Sequence, residues 1–484
     1  MAGFRVFLKR SAAAGLASLP AACAGLNPSP DSPAPQIAQP EFAAADSPLL
    51  APGAAPQSRW WTQFDDPALD DLIATVDSGN LSLEEAEARI VEAEARLELA
   101  RTGLLPGGGA SAAYSRQQQG TASFEASGFP GAGMISPGAI DLYTLGTDAS
   151  WEIDLFGRIR GGVEQARAGL AAARASRADL QRVLVGEAAS AWYNLMEIEA
   201  RRAIAEEAVA RQEDVLKLTR QLVEAGERAR LDIRRQEALV ANTRASLAAL
   251  RSARADAVSG LAVLTGLTVP QFEARFAAKA ADGARARVEQ ADAEPIAIGE
   301  PSGLIRRRPD VRAAEMQLRA AAAGVRLAAA DLYPSLSLSG SASLSATSVS
   351  GLGDDGAFGY SFGPRLNWGV FNYPRTLARI DLSEAEFETA AVRFEQVVLE
   401  ALTETDGALR RYNGAVEEAV HRRQALSASR ETLRLVNARY EAGADSLLSL
   451  LDAQREFLSA EDAAATAAFS VIRARIAVHR SLGG

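Results

Sequence analysis

Few residues in this chain are equipped for chemistry. Cys23 is the only cysteine among 484 residues, so it has no partner for an intramolecular disulfide. It follows a basic start (Arg5, Lys9, Arg10) and a small-residue, weakly apolar run from Ser11 to Ala22. That setting suits acylation. Residues 1–22 read as a signal peptide and Cys23 as the lipid-modified residue behind it, with ordinary signal cleavage as the alternative. Pro20 departs from the usual lipoprotein pattern, where leucine is expected. His421 and His479 are the only histidines, and neither has a cysteine or second histidine at ligand spacing. Gly107-Gly108-Gly109 lacks the lysine and the spacing of a phosphate-cradling loop. The sequence therefore assigns no catalytic residue, metal or cofactor, and it does not read as an enzyme. What remains is electrostatic. Leu448, Asp452 and Arg455 fall at i, i+4, i+7, on one stripe of a helix. With several copies around one axis, Leu448 would form a dry constriction and Asp452 a cation-attracting ring.

The elements that would carry this stripe are long. Proline is absent between Pro137 and Pro270 and again after Pro374, and both spans are dominated by strong helix formers. Arg158–Glu224 as one helix would be about 100 Å long at about 1.5 Å per residue, and Arg375–Glu441 is similar. Such lengths indicate a coiled coil or helical tube rather than an ordinary globular domain. A shorter amphipathic helix is expected from Asn80 to Leu105, stopped by Pro106 and the glycines behind it. Residues 23–58 are rich in Pro, Ala and Ser and read as a tether. No uninterrupted apolar run reaches about 18 residues, so no transmembrane helix is encoded. The net charge of -10 disfavours a nucleic-acid partner.

The chain repeats itself. Leu104-Leu105-Pro106 returns as Leu332-Tyr333-Pro334, Tyr193-Asn194 as Tyr412-Asn413, and Glu224-Ala225-Gly226 as Glu441-Ala442-Gly443. Two repeats follow, 59–300 and 301–484, each reading helix, strand pair, long helix, Gly turn, second helix. Strands are expected at about 108–120, 142–152, 335–347 and 357–368, and long helices at about 156–267 and 374–482. Between Ser335 and Ser345 serines alternate with Leu336, Leu338, Ala342 and Leu344, giving one hydroxyl-rich and one apolar face. Four strands leave open edges, which lipid does not tolerate, and the smallest bacterial barrels need eight. Several chains must therefore combine; three would give twelve strands with the serine face toward a lumen. Gly226 and Gly443 stand where the helices reverse, and with Ala225, Ala442 and Ser446 they form a candidate docking tip.

Three segments carry a family resemblance. They are Trp60-Trp61-Thr62-Gln63-Phe64-Asp65-Asp66-Pro67-Ala68-Leu69, then Pro301–Glu315 with Arg306-Arg307-Arg308-Pro309-Asp310, then Arg439–Gly443 with Leu451-Asp452-Ala453-Gln454-Arg455. Together they resemble the TolC-like outer-membrane efflux proteins, in the lipoprotein (NodT) branch, over roughly residues 59–482. The resemblance implies a mainly α fold with a β-barrel part: a homotrimer with a twelve-strand barrel and a periplasmic α-helical barrel. It implies a periplasmic adaptor, or membrane fusion, protein and an inner-membrane resistance-nodulation-division pump as partners, at a lipid-anchored site in the outer membrane. It places the periplasmic gate at Leu448, Asp452, Arg455 and Tyr440, with Asp232 as a weaker counterpart in the first half. Small toxic compounds would leave through the duct. A type I protein-secretion duct and a structural coiled-coil envelope protein are the rival readings. The serine–leucine strands argue against the second, because a scaffold has no use for them. Arg306–Arg308 and Asp310 read as structural, at the start of a helix.

Overall fold

The computed structural model describes residues 42, 47–51, 59–118, 139–289 and 295–483. The expected signal peptide, Cys23 and most of the tether lie outside the described residues. In chain order the elements are β1 (Leu50–Ala51), a 3-10 turn at Trp60–Phe64, α1 (Pro67–Gly79), α2 (Leu81–Thr102), β2 (Gly107–Gln117), β3 (Ile140–Ile153), α3 (Arg158–Glu224) and α4 (Arg230–Thr265). Then come α5 (Val269–Phe272), a π-helical turn at Glu273–Ala277, α6 (Ala278–Glu289), β4 (Ile296–Ala297), α7 (Pro301–Arg307) and α8 (Pro309–Ala330). The chain closes with β5 (Ser335–Ala346), β6 (Phe358–Asn367), α9 (Tyr373–Glu441) and α10 (Leu447–Ser481). No described helix is long and apolar enough to cross a membrane.

The internal repeat is metrically regular. α2 and α8 both have 22 residues, and α8 and β5 start 228 positions after α2 and β2. Beyond the strand pair the offset becomes 217, linking α3 to α9 at their ends and α4 to α10 at their starts. The change of 11 lies in the hairpin connections: 22 residues join β2 to β3 and 11 join β5 to β6.

The chain divides into two compact units. The first, built from Ala93–Gly169 and Gln317–Ala391, holds an antiparallel sheet in the order β2-β3-β5-β6. Serine and glycine fill most alternate positions of β5 and β6, and leucine, alanine and aromatic residues fall between them, so the pleat sorts them onto opposite faces.

The second unit, from Pro35–Glu92, Leu170–Met316 and Val392–Gly484, carries the main core. Trp60, fully buried, stacks on His479 with ring centroids 5.3 Å apart and planes 4° apart. Asp66 caps α1 by accepting from the Ala68 and Leu69 N–H groups, and also accepts from Trp192 Nε1 at 3.0 Å. The resemblance segment at Trp60–Leu69 is thus the piece that closes this core. Pro309 opens α8, as the sequence suggests. Arg308 beside it is 3% exposed: its Nε and Nη2 donate to Asp310 at 3.0 and 2.6 Å, and its Nη1 to the Ser481 carbonyl at 3.0 Å. Nη2 also lies 2.8 Å from Glu404 Oε2. Burial opposes the Asp310 charge, but the Arg308 hydrogen bonds outweigh it and hold the carboxyl below its usual range. A buried charge supplied with partners from three elements is a tie, not a binding site.

His479 lies on the same core and has no hydrogen-bond partner on either ring nitrogen. Burial, with Arg475 nearby, pushes its pKa down to about 3. The folded chain therefore holds it neutral at pH values where the unfolded chain protonates it. Its contribution to stability is complete above about pH 6.5 and is lost as pH falls toward 3. His479→Phe keeps a ring against Trp60 and removes the titration. Its unfolding midpoint should decline less than that of the parent between pH 6.5 and 4, and a parallel decline would remove His479 from the acid response.

Candidate functional site

Two regions hold the residues singled out by sequence, one in each unit. In the sheet, the registers place Ala112, Leu145, Leu344 and Phe358 on one rung and Ser111, Gly146, Ser343 and Gly359 on the next. Adjacent rungs face opposite sides, so the sheet has an apolar face with Tyr114, Tyr143, Tyr360 and Phe362 and a face dominated by Ser and Gly. The strands have 11, 14, 12 and 10 residues, enough for a tilted strand to cross a hydrocarbon layer. Tyr360 and Phe362 are 79% and 74% exposed, an apolar surface left for something other than water. β2 and β6 are edge strands. Below the sheet, Trp151 Nε1 donates to the Leu104 carbonyl at 3.0 Å and Trp368 Nε1 to the Leu332 carbonyl at 3.1 Å. These are the same contact in the two halves, each tying a strand end to the segment that enters its partner.

In the second unit the long helices reverse through two like turns. Gly226 and Gly443 have φ of +78° and +71°, a conformation that an L side chain enters only with strain. The Gly226 N–H bonds the Val223 carbonyl and the Glu227 N–H the Leu222 carbonyl; Gly443 repeats this to Tyr440, and Ala444 to Arg439. Both turns are Schellman caps. The second is more heavily pinned. Ser446 caps α10 through the Ser449 N–H, whereas Ala229 at the matching position has no side chain to do so. The Ser449 hydroxyl, the Ser446 N–H and Arg439 hold the Asp445 carboxyl below its usual range. Ala225, Gly226, Ala442, Gly443 and Ser446 all lie in or at the ends of these turns.

Tyr440 is buried in a small cluster with Leu239, Leu447, Leu450 and Leu451, and the Arg228 guanidinium stands 5.0 Å above its ring. It therefore joins α4, α9 and α10 within one chain. Leu447, Leu450 and Leu451 take the inward side of α10, which leaves Leu448 outward and 48% exposed. Asp452 and Arg455 share that outward side and approach each other at 3.5 Å, with more than half of each side chain exposed. Asp232 sits 3.9 Å from Arg235 on α4, mostly covered. The 217 offset pairs Asp232 with Ser449, and pairs Leu231 with Leu448 and Arg235 with Asp452. Leu231, 55% exposed, is thus the residue of the first half that matches Leu448, and reading through the repeat offset finds it where residue type alone did not.

The outer membrane efflux protein family matches residues 72–267 and 301–484. The pyoverdine export outer membrane protein OpmQ of Pseudomonas putida is 32% identical over 435 residues, covering 89% of each chain. Nodulation protein T of Rhizobium leguminosarum bv. viciae is 28% identical over 88% of this chain and 84% of its own. Among solved structures, the outer-membrane channel OprN superposes with a TM-score of 0.80 at 33% identity, covering 92% of this chain and 96% of that one.

A Cβ at Gly226 or Gly443 would meet nothing within 4 Å, so only the backbone resists substitution. Gly226→Ala and Gly443→Ala should each cost about 1 kcal/mol locally, and the Asn variants less. Amide exchange at residues 222–229 and 439–446 should speed up in the Ala variants and stay near the parent rate in the Asn variants. Equal rates in all would place the turns outside αL control.

Proposed function

This chain belongs to the outer membrane efflux protein family, and we propose that it is the outer-membrane channel of a tripartite efflux pump, a passive gated duct for small toxic compounds. The observation that carries this reading is the sheet: four strands long enough for a membrane, one face apolar and aromatic, the other serine-rich, both edges open. Lipid accepts such strands only in a closed ring, and the serine face then lines water. Three copies would close twelve strands. The names of the relatives favour small-molecule cargo, since OpmQ exports pyoverdine and TtgC of Pseudomonas putida is named for toluene efflux. Energy would come from an inner-membrane resistance-nodulation-division pump, reached through a periplasmic adaptor. Acylation of Cys23 would hold the chain at the membrane.

In this reading the helix turns at Gly226 and Gly443 lie in the periplasm and receive the adaptor. Their pairing as two like caps supports it, because one partner surface could meet both. Leu448, Asp452 and Arg455 would close the duct when copies meet around an axis. Their shared outward side on α10 supports that role, as does the half-exposed side chain of Leu448. Tyr440 would hold the hinge of that helix pair, and Asp232 with Arg235 would steady α4 beside it.

Two measurements test this. Deleting the gene should raise sensitivity to several unrelated toxic compounds at once, and an unchanged profile across a broad panel would count against efflux. In planar bilayers, Leu448→Ala and Asp452→Ala should each increase single-channel conductance; parent-like conductance in both would take this stripe out of the gate.

A further inference from the structure

The internal repeat breaks at the foot of the sheet, and the break concerns charge. In the first half the Arg158 guanidinium grips Glu152 with two prongs, Nε to Oε1 at 2.9 Å and Nη2 to Oε2 at 2.5 Å. Asp154 accepts from the Ile159 and Arg160 N–H groups, and Asp331 adds its charge to Arg158. The 217 offset carries Arg158 to Arg375, in the first turn of α9. It carries Glu152 to Gly369 and Asp154 to Phe371, and the 228 offset carries Asp331 back to Gly103. The second half keeps the arginine and loses all three carboxylates around it. Among the described residues no carboxylate pairs with Arg375.

Arg375 lines a cavity of about 460 Å³ within the first unit. Glu152, Ser335 and Asn367 reach this cavity from the serine side of the sheet, since Glu152 stands opposite Ser337 and Ser335 opposite Asn367. Phe156 and Tyr333, stacked with ring centroids 4.8 Å apart and planes 9° apart, give it an aromatic wall. Its three carboxylates are already held. Arg158 takes Glu152, Arg379 takes Asp331 at 2.8 Å, and Arg160 with the backbone takes Asp154. Arg375 remains as the cation with its donors to spare, and Asn372 and Thr376 add neutral donors to the lining.

We propose that this cavity is a carboxylate site: the carboxylate meets the Arg375 guanidinium edge-on, and an apolar body lies against Phe156 and Tyr333. One uncompensated positive charge matches a single carboxylate, whereas a phosphate dianion would leave negative charge without a partner. The planar fork of arginine suits the two carboxylate oxygens. The use of the site rests on the channel reading above. In that reading the serine side lines the duct, so the site holds organic acids with an apolar body on their way out.

Calorimetric titration of the full-length protein in matched detergent tests the site, with 1-naphthoate as probe and 1-naphthylmethanol as its uncharged counterpart. The parent should bind naphthoate about tenfold or more tighter than the alcohol. Arg375→Gln should lose about tenfold in naphthoate affinity, and Arg375→Lys less, because it keeps the charge without the fork. Gly369→Glu returns to the second half the carboxylate that the first half has. It should lose as much as Arg375→Gln with the arginine still in place, and a parent-like melting temperature separates that loss from misfolding. Equal affinity of the parent for acid and alcohol, or parent-like affinity in both Arg375→Gln and Gly369→Glu, would overturn the site. In planar bilayers naphthoate should lower the current of the parent and leave that of Arg375→Gln unchanged. Arg375-dependent binding by a protein that forms no channel would keep the site and overturn the duct. A conducting channel whose naphthoate binding ignores Arg375 would keep the duct and overturn the site.

Discussion

A backbone N–H or C=O turned toward hydrocarbon has no water to bond, and each one left unpaired costs several kcal/mol. Much of this chain follows from that. Four strands are too few to close on themselves, and β2 and β6 are left with open rows. Alternation of small hydroxyl residues with Leu, Tyr and Phe gives a single sheet one apolar and one polar face. The proline in β6 stands where it does not interrupt the internal ladder.

The helical unit meets a different demand. Helices of 67 and 69 residues have far more side than end, and α9 turns one apolar stripe inward through Phe394, Val398, Leu402, Leu409 and Tyr412. Specific polar ties add to it. Arg308 reaches Asp310, Glu404 and the Ser481 carbonyl, and Arg182 reaches Asp179 and the Arg480 carbonyl. Each fixes one helix against the end of another. The aromatic plug at Trp60 works from the other side, bringing a segment near the start of the described chain onto His479 near its end.

How much of this the sequence disclosed depends on the range of the interaction. Local periodicity was enough for the β5 strand, for the proline-free helices and for the reversals at Gly226 and Gly443, because each is decided within a few residues. The first strand, expected at about 108–120, begins one residue earlier at Gly107, where pairing with Ser150 extends it. α2 ends at Thr102 rather than Leu105, since Leu104 is drawn into the Trp151 contact. Residues 269–289 form α5, a π-helical turn and α6, which periodicity did not separate. Arg308 as a hub, and Tyr440 as a residue buried within its own chain, rest on partners far away in sequence or on another helix. Asp232 drew notice by residue type, whereas the offset points to Leu231.

Twenty-two residues join β2 to β3 and eleven join β5 to β6, yet both hairpins keep one register. The ladders do not read the length of what connects them. For protein engineering, that makes the longer connection a place to insert a tag or a displayed peptide. An insertion between Gln117 and Ile140 would add one copy per chain, and the strands on either side would keep their rungs.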